Sequence, residues 1–200
     1  MQDNIKRCFD VVFSLLGLVF LSPIFFFVAM LIKLKSKGSV FFIQERIGKN
    51  FKPIKIIKFR TMTEKGFNEK IPINAENAQR ITRIGGYLRK YKIDELPQLL
   101  GILFGDMSFV GPRPELAKYV NCFYKDYKEI LQVKPGITDF AAIEYRNEEE
   151  LLRQFPNQEE AYIQEIMPKK ILMYKKYISS RGFFTDISLI FRTLFALIKI

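Results

Sequence analysis

Two adjacent carboxylates, Asp94 and Glu95, are the residues best placed for chemistry in this chain. They open a predicted helix, Ile93–Leu103, in which Asp94 is placed as an N-cap and Pro97 falls in the first turn, where a missing N–H is harmless. One interpretation is structural, because Asp94 would cap the helix and Glu95 would complement its dipole. The other is chemical, because a helix N-terminus attracts phosphate, an ionised carboxylate can attack phosphorus, and a second carboxylate can hold Mg²⁺.

Basic side chains could supply a complementary phosphate site. Arg113 stands between Pro112 and Pro114, whose fixed φ angles stiffen the loop, and a rigidly held guanidinium is a good bidentate phosphate clamp. The alternative is a solvated arginine in a stiff loop. Further cations near these motifs, each of which alone is also compatible with an ordinary surface charge, are Lys58, Arg60, Arg83, Arg89, Lys134 and Arg146.

The composition excludes several classes of mechanism. The chain has 200 residues and no His, so it contains no Ser-His-Asp or Cys-His nucleophile system. Two Cys without His exclude a four-ligand structural zinc site, and the sequence has no P-loop and no G-x-G-x-x-G. The few cysteines and the absence of an Asn-X-Ser/Thr acceptor predict a reduced, cytosol-facing protein. A net charge of +11 predicts an anionic partner, whether nucleic acid, anionic lipid or a phosphorylated ligand.

An uncharged segment, Val11–Ile32, is long enough to cross a bilayer as one helix. Pro23 lies in its middle and must bend or break that helix, and Ser22 can bond a carbonyl that the proline frees. Lysine and arginine flank both ends, which by the positive-inside rule places both ends in the cytoplasm. The segment therefore predicts either a re-entrant helix-break-helix or a spanning helix with a proline kink.

The remaining pattern predicts a helix-dominated α+β fold. Two strand-like runs, Val40–Arg46 and Phe51–Arg60, flank a turn signal and predict a β-hairpin. A polar loop is predicted over Thr63–Asn77, and helices are predicted over Ala78–Lys90, Ile93–Leu103, Leu116–Leu131, Glu148–Gln154 and Glu159–Ser179.

The chain ends in an apolar, amphipathic tail, residues 183–200. It places one apolar stripe opposite Arg192 and Lys199, which is typical of an interfacial helix, although packing against a core explains the pattern equally well. The stripe consists of Phe183, Ile187, Ile190, Leu194 and Ile198. We therefore divide the chain into a membrane hairpin with basic flanks (1–37), a cytosolic-face catalytic domain (38–182) and a C-terminal interfacial helix (183–200).

Several motifs together resemble the bacterial sugar transferases, the monotopic phosphoglycosyl transferases. The resemblance covers about residues 6–146 and is most specific where DELPQL is followed closely by GDMSFVGPRPE. In chain order the motifs are Ser22-Pro23, KFRTM (Lys58–Met62), DELPQL (Asp94–Leu99), GDMSFVGPRPE (Gly105–Glu115) and KPGIT (Lys134–Thr138).

The resemblance implies a Mg²⁺-dependent enzyme that moves a phospho-sugar from a UDP-sugar to undecaprenyl phosphate and releases UMP. Asp94 would be the nucleophile of a covalent phospho-sugar intermediate, and Glu95 would help it hold the metal. Ser22 and Pro23 match the helix-break motif and favour the re-entrant form. The residues that match phosphate-binding or nearby basic positions are Lys58, Arg60, Arg89, Arg113 and Arg146.

The same resemblance implies a place and a set of partners. It predicts a monotopic protein on the cytoplasmic face of the bacterial inner membrane, in contact with membrane lipids and serving glycoconjugate assembly. Downstream glycosyltransferases are compatible partners, and nucleic acid is not expected.

One stretch departs from the family pattern. After KPGIT many members continue with Gly and a Gln-Val-Asn-like run, whereas this chain has Asp139 at the first of these positions and reaches Arg146 through a different sequence. The departure leaves the role of Arg146 open. Two alternatives also remain at this point: a non-enzymatic membrane adaptor that uses the basic face, and an enzyme that transfers only the sugar and releases UDP.

Overall fold

The N-terminal segment forms two helices joined at a bend. The computed structural model describes residues 2–63 and 80–198, and within them helix α1 (Gln2–Phe20) and helix α2 (Ser22–Lys35) meet at 58°. Ser22 Oγ donates to the carbonyl of Val19 at 2.8 Å. That carbonyl is the one to which Pro23, lacking an N–H, cannot bond, so the predicted use of Ser22 is confirmed. No single helix in the described ranges has the length and apolarity of a membrane span, but this bent pair meets both criteria by length and composition.

The predicted β-hairpin is confirmed. Strand β1 (Phe41–Ile47) pairs antiparallel with strand β2 (Pro53–Phe59) in a register that runs from Phe41 opposite Phe59 to Ile47 opposite Pro53. Alternate residues of β2, including Ile54 and Ile56, are buried against the segment that follows the carboxylate motif. The hairpin therefore presents one face to the rest of the domain.

The carboxylate motif differs from its prediction in local structure. Helix α3 (Arg83–Lys90) is followed by a 3₁₀ helix, Ile93–Gln98, and then by helix α4 (Leu99–Phe104). The prediction that Asp94 is an N-cap is wrong, because the cap position is Lys92, with φ 55°, and no side chain makes a capping bond there. A physical reason is that Pro97, which would be the third residue of a helix capped by Asp94, has no N–H to donate to it. The loop predicted over Thr63–Asn77 lies outside the described residues except for Thr63. The helix predicted over Ala78–Lys90 begins only at Arg83, because Ile81 forms a β-bridge with Met62 and Thr82, with extended backbone, is the N-cap.

A two-stranded parallel sheet brings the arginine loop next to the KPGIT motif. Strand β3 (Ser108–Val110) pairs with strand β4 (Gly136–Thr138). Just past β3, the backbones meet so closely that a Cβ on Gly136 would lie 2.1 Å from the nitrogen of Gly111. Only glycine fits this contact, which fixes the loop that carries Arg113 against β4.

The C-terminal half is helical and forms the largest core. The single helix predicted over Leu116–Leu131 is wrong in one respect, because it is broken at Phe123 (φ −119°, ψ 36°) into two shorter helices. The helix predicted over Glu159–Ser179 is confirmed, with a π-helical turn at Tyr162–Ile166. The elements are α5 (Ala117–Cys122), α6 (Tyr124–Ile130), α7 (Phe140–Glu144), α8 (Glu148–Leu152), α9 (Gln158–Ala161) and α10 (Met167–Ser180).

The last helix, α11 (Phe183–Ile198), has two apolar faces. Its inner face packs through Leu189 against Val110 and Tyr177, while its outer face exposes Phe184, Phe191, Phe195 and Ile198. Lys6 Nζ bonds a carboxylate oxygen of Asp186 at 2.5 Å and so joins the start of α1 to α11. The molecule is a helix-dominated α+β fold, as predicted.

Candidate active site

Glu95 lies at the centre of a buried ion cluster. Its Oε1 accepts from Lys58 Nζ at 2.7 Å and from Arg113 Nη2 at 2.5 Å, and its Oε2 accepts from Arg113 Nη1 at 3.2 Å. Burial acts to raise the pKa of Glu95, but the charges of Arg113 and Lys58 outweigh it and hold the pKa well below its ordinary value. The structure therefore brings together the end of β2, the 3₁₀ helix and the loop after β3, as the predicted site requires.

Asp94 has a different environment from its neighbour. It is 7% exposed, and its Oδ1 is buried with no hydrogen-bond partner in the described part of the chain. Burial, followed by the charge of Glu95, raises the pKa of Asp94, while Lys58 and the two nearby cations Lys92 and Arg89 act in the opposite direction. One carboxylate is thus held ionised between two cations, and the other keeps an oxygen that is free to bind or to react.

Arg89 lies at the edge of this cluster. Its Nε donates to Thr61 Oγ1 at 3.0 Å, and its Nη1 lies 2.9 Å from each carboxylate oxygen of Glu149. Helix α3 places Arg89 beside Thr61 because the helix backbone approaches the segment after β2 very closely at Gly85. A Cβ at Gly85 would lie 2.0 Å from the carbonyl oxygen of Thr61, so only glycine allows this approach. Arg89 therefore contributes charge near Asp94.

Arg60 and Arg146, which the resemblance placed among the basic residues of the site, are held in other neighbourhoods. The Arg60 guanidinium donates to the carbonyls of Lys37 and Ser36 and to Ser36 Oγ, at 2.7, 3.1 and 2.8 Å, and so joins β2 to the end of α2. Arg146 donates to the carbonyl of Ala196 near the end of α11. These contacts connect elements of the fold, and phosphate binding by either residue stays a prediction.

A cleft beside the cluster contains residues that the sequence did not single out. Arg46 lines it, held by Gln44 Oε1 at 2.8 and 3.1 Å and by Glu115 Oε2 at 3.2 Å. The signal that could have found Arg46 is the period of two in β1, because the register puts Phe42, Gln44 and Arg46 on the face that carries Lys58. The cleft is lined by Phe42, Gln44, Arg46, Ile56, Lys58, Gln98, Arg113 and Pro114.

A buried network supports the far side of this cleft. Lys170, 3% exposed, lies 3.1 Å from Glu115 Oε1 and 3.0 Å from Glu148 Oε2, and Tyr162 donates to Glu115 Oε1 at 2.7 Å. Burial acts to raise the pKa of Glu115, but Lys170 and Arg46 lower it below its ordinary value. Glu115 is therefore an ionised anchor that fixes Arg46.

The predicted metal site consists of two carboxylates, Asp94 and Glu95. No group of three or more His, Cys, Asp or Glu side chains that could hold a metal occurs within residues 2–63 and 80–198. Mg²⁺ does not require such a group, since it is often bound through one or two carboxylates together with substrate phosphates and water. The unpartnered Oδ1 of Asp94 suits this mode, and Glu95 Oε2, with one contact at 3.2 Å, retains acceptor capacity.

Comparison with known proteins agrees with these motifs. A family model described as bacterial sugar transferase matches residues 1–200. A UDP-glucose:undecaprenyl-phosphate glucose-1-phosphate transferase of Klebsiella pneumoniae is 37% identical over 198 residues, covering 95% of this chain and 39% of the relative. The protein of the same name from Escherichia coli K12 is 34% identical over 199 residues, covering 96% and 39%.

The relatives differ in length. The chain spans about two fifths of the two glucose-1-phosphate transferases (39% of each). The exopolysaccharide production protein ExoY of Rhizobium meliloti is 32% identical over 204 residues, covering 94% of this chain and 83% of the relative. Because the family model matches it along its whole length, this chain belongs to the bacterial sugar transferase family.

Proposed function

We propose that this chain transfers a phospho-sugar from a UDP-sugar to undecaprenyl phosphate and releases UMP. The observation that carries the proposal is the contrast between Asp94, with a free buried oxygen, and Glu95, held by Lys58 and Arg113. Relatives named as undecaprenyl-phosphate glucose-1-phosphate transferases support the donor and acceptor classes. The contrast also supports Asp94 as the nucleophile, because a carboxylate held by two cations is a weaker attacking group than one with an unbound oxygen.

The first step is a displacement at the phosphorus that carries the sugar. Asp94 Oδ1 forms a bond to that phosphorus, and the bond from the phosphorus to the bridging oxygen breaks, so that its electron pair leaves with UMP. Asp94 must be ionised for this attack. Arg113 and Lys58 both contact the neighbouring Glu95 and would offset the charge that develops on the phosphate oxygens.

The second step returns the enzyme to its starting state. An oxygen of undecaprenyl phosphate attacks the same phosphorus, and the bond from phosphorus to Asp94 breaks to restore the carboxylate. The acceptor is a phosphate that is already ionised at neutral pH, so neither displacement needs a histidine to remove a proton. Mg²⁺, held by Asp94 and Glu95, would supply further neutralisation of phosphate charge.

We further propose that the protein is monotopic and sits on the cytoplasmic face of the bacterial inner membrane. The bent pair α1–α2 would enter and leave by one face, since both flanks are basic. Two contacts would then hold the site at a set distance from the membrane surface. Arg60 holds the end of α2, and Asp10 Oδ1 accepts from Ser108 Oγ and from the Phe109 amide, both at 3.1 Å. The division into 1–37, 38–182 and 183–200 is part of this proposal.

The decisive experiment identifies the nucleotide released. Purified protein in detergent is incubated with undecaprenyl phosphate, Mg²⁺ and a panel of UDP-sugars, and the products are separated as UMP or UDP. We expect UMP from the wild type, none from Asp94→Asn, and wild-type rates from Asp126→Asn, which makes the same change at a half-exposed carboxylate on α6, outside the shared motifs. UDP as the product would mean that only the sugar is transferred.

A second measurement tests the covalent step. With the donor but no acceptor, the wild type should release about one UMP per protein and gain the mass of one phospho-sugar after acid quenching. Asp94→Asn should do neither. UMP release that depends strictly on the acceptor, with no mass gain, would replace the two-step route by direct transfer.

A further inference from the structure

Asp139 is a buried carboxylate that holds two separate pieces of backbone. It is 0% exposed and immediately follows β4. Its Oδ1 accepts from the amide of Ala142 at 2.7 Å, which caps α7, and its Oδ2 accepts from the amide of Arg113 at 2.9 Å. One side chain therefore joins the start of α7 to the loop that carries the phosphate-binding arginine.

The bond to Arg113 has particular weight because of its neighbours. Pro112 and Pro114 have no N–H, so the amide of Arg113 is the only backbone donor in this tripeptide. Asp139 accepts that donor, while the Arg113 side chain is directed onto Glu95. The position of the guanidinium is thus set at one end by Glu95 and at the other by Asp139.

Resting on the proposed function, we propose that Asp139 is a positioning residue for phosphoryl transfer, which acts by holding the Arg113 backbone so that its guanidinium can bind the donor phosphates. Asp139 lies directly after the KPGIT motif and outside it. The side chain itself touches no reacting atom.

The electrostatics of Asp139 distinguish positioning from mere stabilisation. Burial raises its pKa to about 6, against the hydrogen bonds from Ala142 and Arg113 and the charge of Lys170. The groups that face it are Arg113 in the loop, Lys170 and Tyr174 on α10, and Tyr127 on α6. Because its folded pKa exceeds its unfolded pKa, Asp139 stabilises the fold most at low pH and loses that contribution as the pH rises through about 6.

The contribution of Asp139 to activity should change with pH in the opposite direction from its contribution to stability. The ionised carboxylate accepts from both amides, whereas a protonated one must turn an O–H toward one of them and weakens that bond. As the pH rises through about 6, Asp139 therefore holds the Arg113 amide more firmly. Over the same pH range its contribution to the stability of the fold is lost. A residue kept only for stability would not show this opposition.

The test compares Asp139→Ser with a control cap. Serine keeps one oxygen for the Ala142 amide but is too short to reach Arg113 as well. We expect a ten- to hundredfold loss, on the order of what small misplacements of catalytic groups cost, in kcat/KM for UMP release, with little change in Tm. Asn157→Ala removes the cap of α9, which accepts from Glu160 at 3.2 Å, and should lower Tm without lowering kcat/KM.

A double-variant cycle with Arg113→Lys shows whether Asp139 acts through Arg113. If it does, adding Asp139→Ser to Arg113→Lys costs much less than it costs the wild type. Losses that multiply would overturn the proposal. The pH profile is a second check: kcat/KM of the wild type should fall below about pH 6, and kcat/KM of Asp139→Ser should not. A wild type without this fall would also overturn the proposal.

Binding of UDP with Mg²⁺ gives a measurement that needs no turnover. UDP carries the diphosphate of any UDP-sugar, and Asp139→Ser should weaken its binding as Arg113→Lys does. A wild type that binds UDP but releases no UMP from any donor would contradict the proposed function. The UDP-binding measurement would then still test the role of Asp139. Unchanged UDP affinity in Asp139→Ser would overturn the positioning role.

Discussion

Arg113 and Glu95 form a two-point ion pair, with Nη2 2.5 Å from Oε1 and Nη1 3.2 Å from Oε2. Lys58 shares Oε1, so the carboxylate of Glu95 is surrounded by positive charge. Asp94, the residue before it, has no such contacts at Oδ1. Two neighbouring carboxylates therefore have different surroundings: Glu95 is paired with two cations, and Asp94 keeps a buried oxygen without a hydrogen bond.

The first prediction concerns the planar fork of Arg113. Lysine keeps the charge but cannot bond Glu95 at two points and a phosphate at the same time. Arg113→Lys should therefore lower kcat/KM for UMP release by about ten- to hundredfold, the value of one or two charge-assisted hydrogen bonds. Initial UMP rates over a range of donor concentrations measure this.

The matched control for that prediction is Arg153→Lys, at an exposed arginine in the segment after α8. It should leave the rates unchanged. Wild-type kinetics in Arg113→Lys would remove this guanidinium from the phosphate site.

The second prediction separates activity from stability at Asp94. Because its side chain makes no capping bond and buries an unpartnered oxygen, Asp94→Asn should keep the fold while lowering turnover by about three orders of magnitude or more. Its Tm at pH 7 should equal or exceed that of the wild type, since a buried carboxylate becomes neutral.

The pH dependence of that Tm difference follows from the raised pKa of Asp94. A raised folded pKa means that Asp94 stabilises the fold below its ordinary pKa and loses that contribution as the pH rises through the folded value. The advantage of Asp94→Asn should therefore be small near pH 4 and grow toward pH 7. Thermal unfolding of both proteins at pH 4 and at pH 7 measures this Tm difference. A Tm difference in favour of Asp94→Asn that shrinks from pH 4 to pH 7 would contradict the prediction.

Sequence was sufficient for the features that are local. The hairpin followed from alternation and a turn signal, the bend from Pro23, and the pairing of Asp94-Glu95 with Arg113 from residue types and motif order. In each case the information lies within a few residues or in a motif specific enough to identify a family.

Sequence was insufficient where a side chain's direction depends on tertiary packing. Arg60 lies two residues from Lys58 yet binds the end of α2, and Arg46 reaches the cleft only through the strand register. The cap predicted for Asp94 failed because a left-handed Lys92 begins the helix two residues earlier and Pro97 removes a donor. Asp139 could be noticed as unusual, but its bond to Arg113 depends on how β3 and β4 pair.

The third prediction concerns the bend at Pro23. In Pro23→Ala the new N–H can bond the carbonyl of Val19, which Ser22 Oγ now occupies, and the two helices can join into one spanning helix. A cysteine placed by Asn4→Cys, with Cys8 and Cys122 changed to serine, reports the side on which the N-terminus lies. An impermeant maleimide added from the periplasmic side should label it in Pro23→Ala and not in the protein that keeps Pro23.

The control for that experiment is Pro156→Ala, which changes a proline between α8 and α9. It should leave the reporter protected. Protection of the reporter in Pro23→Ala as well would mean that the proline does not determine how the helix pair enters the membrane.

The fourth prediction concerns the outer face of α11, where Phe195 is 63% exposed. An exposed aromatic face on a helix whose other side packs against the domain is expected to lie among lipids. The chain has nine Tyr but no Trp, so Phe195→Trp introduces a single tryptophan, whose emission can be excited selectively. In vesicles of phosphatidylethanolamine and phosphatidylglycerol, chain-brominated lipid should quench its emission more strongly than aqueous acrylamide does. Leu172→Trp, at a 68% exposed position on α10, should show the reverse order. If acrylamide quenches both variants equally and brominated lipid neither, α11 faces water and the membrane contact is confined to the N-terminal helix pair.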